Sequence, residues 1–264
     1  MKALIKIGGT LLDEPGSRIR LATEIANAVQ NGLRAVVVHG GGKQMTRFLS
    51  ERGIESQFVN GLRVTTPEVL DAVLKVLAGS VNQELVATFV AVGVNAVGLT
   101  GMDAMLTEAE PVSEELGFVG KPTASNVQLL DILIVNGFFP VVACLAGDRS
   151  GHFYNVNADQ MASAIASAMH ADKLLFLTDV DGVKGEDGRV IEELSLDACR
   201  ELIASGIASG GMRAKLEAAA EAVRRNVSEV RIVSGAVSGV IDQVLEGSVL
   251  GTRLVAAIGA HCNG

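Results

Sequence analysis

Lys2-Ala3-Leu4-Ile5-Lys6-Ile7-Gly8-Gly9-Thr10 opens the chain as an apolar run with one lysine, Lys6, inside it, and stops on paired glycines. Ala35-Val36-Val37-Val38-His39-Gly40-Gly41-Gly42-Lys43 repeats the pattern with three glycines. Apolar runs of this length bounded by glycine read as buried strands of a parallel sheet. In open α/β sheets ligands sit outside the carboxyl ends of the strands, and glycine there lets backbone N–H groups approach a ligand unobstructed. Two such loops on neighbouring strands form one floor for an anion, with Lys6 at its edge as a fixed cation. Lys6 has a second reading as a lysine whose head snorkels to solvent. The His39 loop has a second reading as a tight strand-to-helix turn. Three consecutive glycines exceed what a turn needs and are entropically costly, which favours the anion. The loop is neither a P-loop, since no Gly-Lys-Ser/Thr follows, nor a dinucleotide GxGxxG turn.

Outward from these loops, strand-like runs recur at Ala96–Thr100, Phe139–Leu145, Leu174–Thr178, Val230–Val233 and Arg253–Ala256. Helical patterns lie between them. Ala22, Ile25, Ala26 and Val29 share one face of the first. Thr66 followed by Pro67 caps a helix towards Ala78, residues 80–92 continue as helix after Gly79, and another helix covers 125–136 up to Gly137. The alternation predicts an α/β fold, a three-layer αβα sandwich with a mostly parallel central sheet. Residues 103–123 and a hairpin over 146–156 break the pattern as excursions above the sheet, a candidate lid. A new unit begins near Asp172. This divides the chain into a lobe over 1–171 and a lobe over 172–264, with no Pro- or Ser-rich linker, so both lobes share one sheet.

The chain has 264 residues, 48% of them hydrophobic and 20% charged, enough to bury a full core. Its apolar runs are broken within about ten residues, short of the ~20 a bilayer span needs. No cleavable leader pattern precedes the first strand, and the expected location is cytoplasmic. Three cysteines (Cys144, Cys199, Cys262) and four histidines show no metal-ligand spacing and no disulfide framework. The net charge of −8 without a basic run argues against nucleic acid. An anionic ligand must therefore be held by local devices: glycine loops, helix N-termini and a few placed lysines.

Four more motifs carry candidate chemistry. In Asn155-Val156-Asn157-Ala158-Asp159-Gln160, Asn157 caps a helix, Gln160 completes a capping box and Asp159 suits the positive helix end. Asn155 is left over, free to point into a site. Gly210-Gly211-Met212-Arg213-Ala214-Lys215 precedes an Ala-rich helix and places Lys215 in or near its first turn. A cation there opposes the macrodipole unless an anion sits beside it; a solvated lysine is the alternative. Thr178-Asp179-Val180-Asp181-Gly182-Val183 ends a strand on a polar turn, either a plain turn or a nucleotide contact. Gly61-Leu62-Arg63-Val64 offers an arginine suited to bidentate grip of a carboxylate.

In this order, together with Leu116-Gly-Phe-Val-Gly120 and Gly251-Thr-Arg253, these motifs resemble the amino acid kinase superfamily over nearly the whole chain. The match is to members that phosphorylate the γ-carboxylate of N-acetyl-L-glutamate. The resemblance implies ATP as phosphoryl donor, with Mg2+ carried on its phosphates and no metal ligand from the protein. It implies that Lys6 and Lys215 stabilise the transferring phosphoryl group and that Asp159 holds the two lysines. It gives phosphate donors at Gly8 and Gly9, and substrate contacts at Gly41, Gly42, Arg63, Asn155 and Asn157. Thr178, Asp179, Val180, Asp181, Gly182 and Val183, with Gly210, Gly211 and Met212, would line the nucleotide pocket. Lys43 and Arg213 depart from the family pattern, which has smaller or apolar residues there. Arginine-inhibited members resemble one another in an extra N-terminal helix, and this chain begins at the strand. The expectation is a homodimer insensitive to arginine. Sister kinases acting on N-acetyl-α-aminoadipate or N-succinylglutamate, and a non-catalytic sensor on the same fold, remain as alternatives.

Overall fold

The computed structural model describes residues 1–256; the predicted strand end at Ala256 falls just past the observed one, and Cys262 lies outside the described residues. The strands are β1 (Lys2–Ile7), β2 (Arg34–His39), β3 (Phe58–Val59), β4 (Leu62–Arg63), β5 (Ala96–Thr100), β6 (Thr107–Pro111), β7 (Val119–Ser125), β8 (Phe139–Ala143), β9 (Leu145–Gly147), β10 (Phe153–Val156), β11 (Lys173–Thr178), β12 (Glu193–Ser195), β13 (Glu229–Ser234) and β14 (Thr252–Val255). The helices are α1 (Gly9–Asp13), α2 (Pro15–Gln30), α3 (Gly42–Ser50), α4 (Pro67–Val73), α5 (Asn82–Ala91), α6 (Gln128–Val135), α7 (Ala158–Ala168), α8 (Leu196–Ala204), α9 (Gly210–Arg224) and α10 (Val240–Leu245).

One eight-stranded sheet in the order β12-β14-β13-β11-β1-β2-β8-β5 runs through the molecule. Every neighbouring pair is parallel except β13 and β14. The middle strands are apolar throughout, as strands covered on both faces must be: Leu4, Ile5, Val36, Val37, Leu174, Leu175 and Phe176 are fully buried. Helices α7 and α9 pack on each other and on β1, β11 and β13, while α2, α5 and α10 form a second group. The result is a three-layer αβα sandwich.

Register brings the functional loops level. Ile7 pairs with both His39 and Leu177, and His39 pairs with Ala143. The next residue on each strand, Gly8, Gly40, Thr178 and Cys144, therefore emerges at one carboxyl edge.

Several expectations change. The run 139–145 divides into β8 and β9. The two excursions pair with each other, with β10-β7-β6-β9 closing into a small barrel. Its hairpin turn is organised by Asp148, whose carboxylate accepts from Ser150 N, His152 N, His152 Nδ1 and Tyr154 Oη. Gly79 lies inside a continuing helix, as read, but the turn around it is not α-helical. Leu74–Val81 is a π-helical segment joining α4 to α5, so Pro67–Ala91 is one helix of 25 residues. By length and composition alone that helix is long enough to cross a membrane, contrary to the reading of the broken apolar runs. Its Val73, Val76, Leu77, Leu85 and Phe89 sit in the core instead.

Candidate active site

Lys6 points out of the middle of the sheet, flanked in register by Val38 on β2 and Phe176 on β11. Its ammonium lies 2.8 Å from Asp159 Oδ1. The Lys215 ammonium reaches the other oxygen, Oδ2, at 3.0 Å. All three side chains are buried. Burial alone would raise the Asp159 carboxyl, but the charges of Lys6 and Lys215 outweigh it and hold it below the usual carboxylate range. Burial and the nearby charge of Lys6 push Lys215 down, against the opposing pull of Asp159. Two cations sharing one carboxylate leave a net positive charge in a dry place, which only an incoming anion can neutralise.

Asp159 is held by its helix. It follows Asn157, whose Oδ1 accepts from Asp159 N (2.9 Å) and Gln160 N (3.2 Å). The Gln160 side chain returns no bond, so the cap is half of the predicted box. Lys215 sits in the second turn of α9, not the first, because the helix already begins at Gly210. Gly210, Gly211 and Met212 are thus the helix's own first turn. Its N-cap residue, Ser209, makes no side-chain capping bond, and the Gly210 and Gly211 N–H groups find no acceptor among the described residues.

A cleft of about 230 Å³ opens beside Lys6 and Asp159, lined by Gly9, Gly40–Gly42, Arg63, Asn155 and Asn157. The two glycine loops abut as expected: a Cβ on Gly9 would lie 3.3 Å from Gly42 N. Arg63 is fixed rather than loose. Its guanidinium donates to Ser56 Oγ, to Thr46 Oγ1 at 2.8 Å and to Gly42 O at 3.3 Å, and lies over the Phe58 ring. Asn155 donates to Thr65 Oγ1 at 3.1 Å, as the leftover asparagine allowed. The cleft's apolar wall of Met45, Leu77, Val119, Cys144 and Val156 gave no signal, because apolar lining residues look like core in sequence. Cys144 is inert there; burial pushes its thiol up to about 12.

Two of the expected site residues have their backbone groups already bonded within the fold. The Gly8 N–H is not available to a phosphate, since it donates to Leu177 O at 2.9 Å; Gly9 is left as the donor of that pair. Val183 is likewise committed within the fold. It is buried, its N–H donates to Thr252 Oγ1, and its carbonyl accepts from Ile191 N. Thr178, Asp179, Val180, Asp181 and Gly182 do lie at the carboxyl end of β11. None of them lines the cleft, which is built from the other side of β1.

A doubly wound α/β sheet whose carboxyl edge joins glycine loops to a buried Lys-Asp-Lys trio defines a phosphoryl-transfer class of protein. Residues 1–234 match the model of the amino acid kinase family. The chain is 56% identical to the acetylglutamate kinase of Solibacter usitatus, covering 97% of this chain and all of that one. It is 44% identical to that of Koribacter versatilis, over 98% of this chain and all of the other. Its fold superposes on N-acetylglutamate synthase from Neisseria gonorrhoeae, solved with coenzyme A and N-acetyl-glutamate, with a TM-score of 0.86. That match, at 26% identity, takes in 97% of this chain and 60% of the synthase. The chain belongs to the amino acid kinase family, in its acetylglutamate kinase group.

Proposed function

We propose that this protein transfers the γ-phosphoryl group of ATP to the γ-carboxylate of N-acetyl-L-glutamate, giving N-acetyl-L-glutamyl 5-phosphate in arginine biosynthesis. The observation that carries the reading is the Lys6-Asp159-Lys215 trio beside the glycine-lined cleft. A carboxylate is ionised at neutral pH, so no general base is needed. One of its oxygens bonds to the γ-phosphorus as the bond to the β–γ bridging oxygen breaks, and ADP leaves with the electron pair. The protein has to bring two anions together and stabilise the charge between them. Lys6 and Lys215 supply the cations, and Asp159 keeps both in place when the site is empty of anion. Gly9, Gly41 and Gly42 offer N–H groups. Arg63 takes the substrate α-carboxylate, and Asn155 and Asn157 take the acetylamino group. The β11 turn and the open N-terminus of α9 take the nucleotide.

Magnesium would arrive on the ATP phosphates. Among the described residues no cluster of three His, Cys, Asp or Glu side chains stands ready for a metal, and Asp159 is occupied by lysines. Residues 1–171 then serve as the acetylamino-acid lobe and 172–264 as the ATP lobe, in a cytoplasmic enzyme. Among the described residues the sheet ends at β5, whose outer backbone edge is unpaired and whose Ala96, Val97 and Leu99 are half-buried. Ile132 and Val135 are exposed on α6, which packs against β8, the strand next to β5. An open apolar edge of this kind invites a second copy, and we place the homodimer contact there.

The test is ADP release that depends on N-acetylglutamate, with hydroxylamine trapping of the acyl phosphate. Faster turnover on N-acetyl-α-aminoadipate or N-succinylglutamate would reassign the substrate. No turnover on any of the three would leave a sensor.

A further inference from the structure

We propose that His39 and Asn82 act as a positioning relay that aims the Gly41 N–H into the cleft. Neither residue touches the space a substrate would fill. Both are buried, His39 completely.

Asn82 Nδ2 lies 3.0 Å from Val141 O. A carbonyl only accepts, so this end of the amide is the nitrogen. The same nitrogen lies 2.9 Å from His39 Nε2, and its second hydrogen goes there, making Nε2 the acceptor. A neutral imidazole that accepts at Nε2 carries its proton on Nδ1. Burial keeps the ring neutral, pushing its pKa down to about 4. The Nδ1–H then donates to Gly40 O at 2.9 Å.

The Gly40–Gly41 peptide is trans, since no cis bonds occur among the described residues. In a trans peptide the C=O and the following N–H point in opposite directions. Holding Gly40 O against the buried ring therefore turns Gly41 N–H outward, to the side where Gly40, Gly41 and Gly42 line the cleft. That N–H has no acceptor among the described residues. Without the ring, a triglycine loop has the freedom to rotate this peptide. Gly98 makes the relay possible: a Cβ there would collide with Asn82 Oδ1.

The kinetic part of the test rests on the proposed kinase reaction. His39→Asn retains a donor at the position of Nδ1. His39→Gln reaches towards Asn82 but offers nothing to Gly40. A relay predicts that kcat falls about 100-fold in His39→Gln, the effect of losing one aimed donor, with KM changed less. It predicts that His39→Asn recovers at least tenfold of that loss at comparable melting temperature. Equal kcat in the two variants, or kcat that merely tracks melting temperature, would overturn the relay.

A second measurement does not depend on the reaction. The 15N spectrum of the wild-type imidazole should show Nδ1 protonated and Nε2 bare at neutral pH, and the opposite tautomer would overturn the relay. The Gly41 amide resonance should move in His39→Gln and stay near its place in His39→Asn; movement to the same extent in both also counts against it. A wild type that binds but never phosphorylates would refute the kinase reading and leave these spectra to judge the relay.

Discussion

At the scale of single residues, the molecule turns on three buried charges that sum to one positive unit. Removing either lysine deletes a cation aimed at the phosphoryl group, so Lys6→Ala and Lys215→Ala should each lower kcat by about 100- to 1000-fold, measured by ADP release. Each still leaves Asp159 one partner. Asp159→Asn leaves two buried ammoniums with no counter-charge. Uncompensated burial of charge costs about 3–5 kcal/mol, so this variant should melt at a lower temperature than either lysine variant. Equal melting temperatures for the three would show that Asp159 does not neutralise the pair. His39 gives a separate handle. Its folded pKa lies near 4 and its unfolded value near 6.5. The folded state therefore binds fewer protons, and its stability contribution is complete above pH ~6.5 and lost as pH falls towards ~4. The depressed carboxyl of Asp159 loses its contribution only below its ordinary value near 3.9. Thermal melts between pH 6.5 and 4.5 should therefore fall more steeply for the wild type than for His39→Asn. Parallel curves would place the acid sensitivity elsewhere.

At the scale of elements, the π-helical segment shapes the cleft. Its extra residue per turn turns Leu77 and Val81 towards the triglycine loop, and a Cβ on Gly41 would lie 2.5 Å from Leu77 Cδ2. Gly41 is extended, at φ 179°, so it is glycine for closeness and not for handedness. Gly41→Ala should cost about 1–3 kcal/mol through overpacking and lower kcat. In a Leu77→Ala background, which lacks the clashing methyl group, Gly41→Ala should cost less stability and less kcat than it does in the wild type. If Gly41→Ala costs as much in both backgrounds, the clash is not the cause. The sequence hid this element. The helix is legible on both sides of Gly79, but no local signal marks the π-helical turn, where the surrounding leucines and valines pack against the core. Capping was legible in part: Thr66 and Asn157 accept from their helices as read. Gln160 had no reason in sequence to withhold its half of the box. Seven of the eight strands in the main sheet were readable as apolar runs. The eighth, β12, is three residues with one buried leucine, too short to carry a periodic signal.

At the scale of the whole molecule, the open edge at β5 sets the assembly we propose. Val135→Asp or Ile132→Asp should shift a dimer to monomer on size-exclusion chromatography with little change in melting temperature. An unchanged elution volume would move the contact to another face. Composition, strand alternation and the glycine loops by themselves determined the α/β class, the carboxyl-edge location of the site and the chemistry of its residues. Each of these is written in local pattern, where period and side-chain type suffice. Only the tertiary structure decided that Lys6 and Lys215 share the two oxygens of one carboxylate, and that Gly8 and Val183 are already bonded within the fold. It also decided that a buried histidine pins the loop beside them. Those are contacts between distant parts of the chain. They depend on strand register and helix packing, which no local pattern of residues encodes.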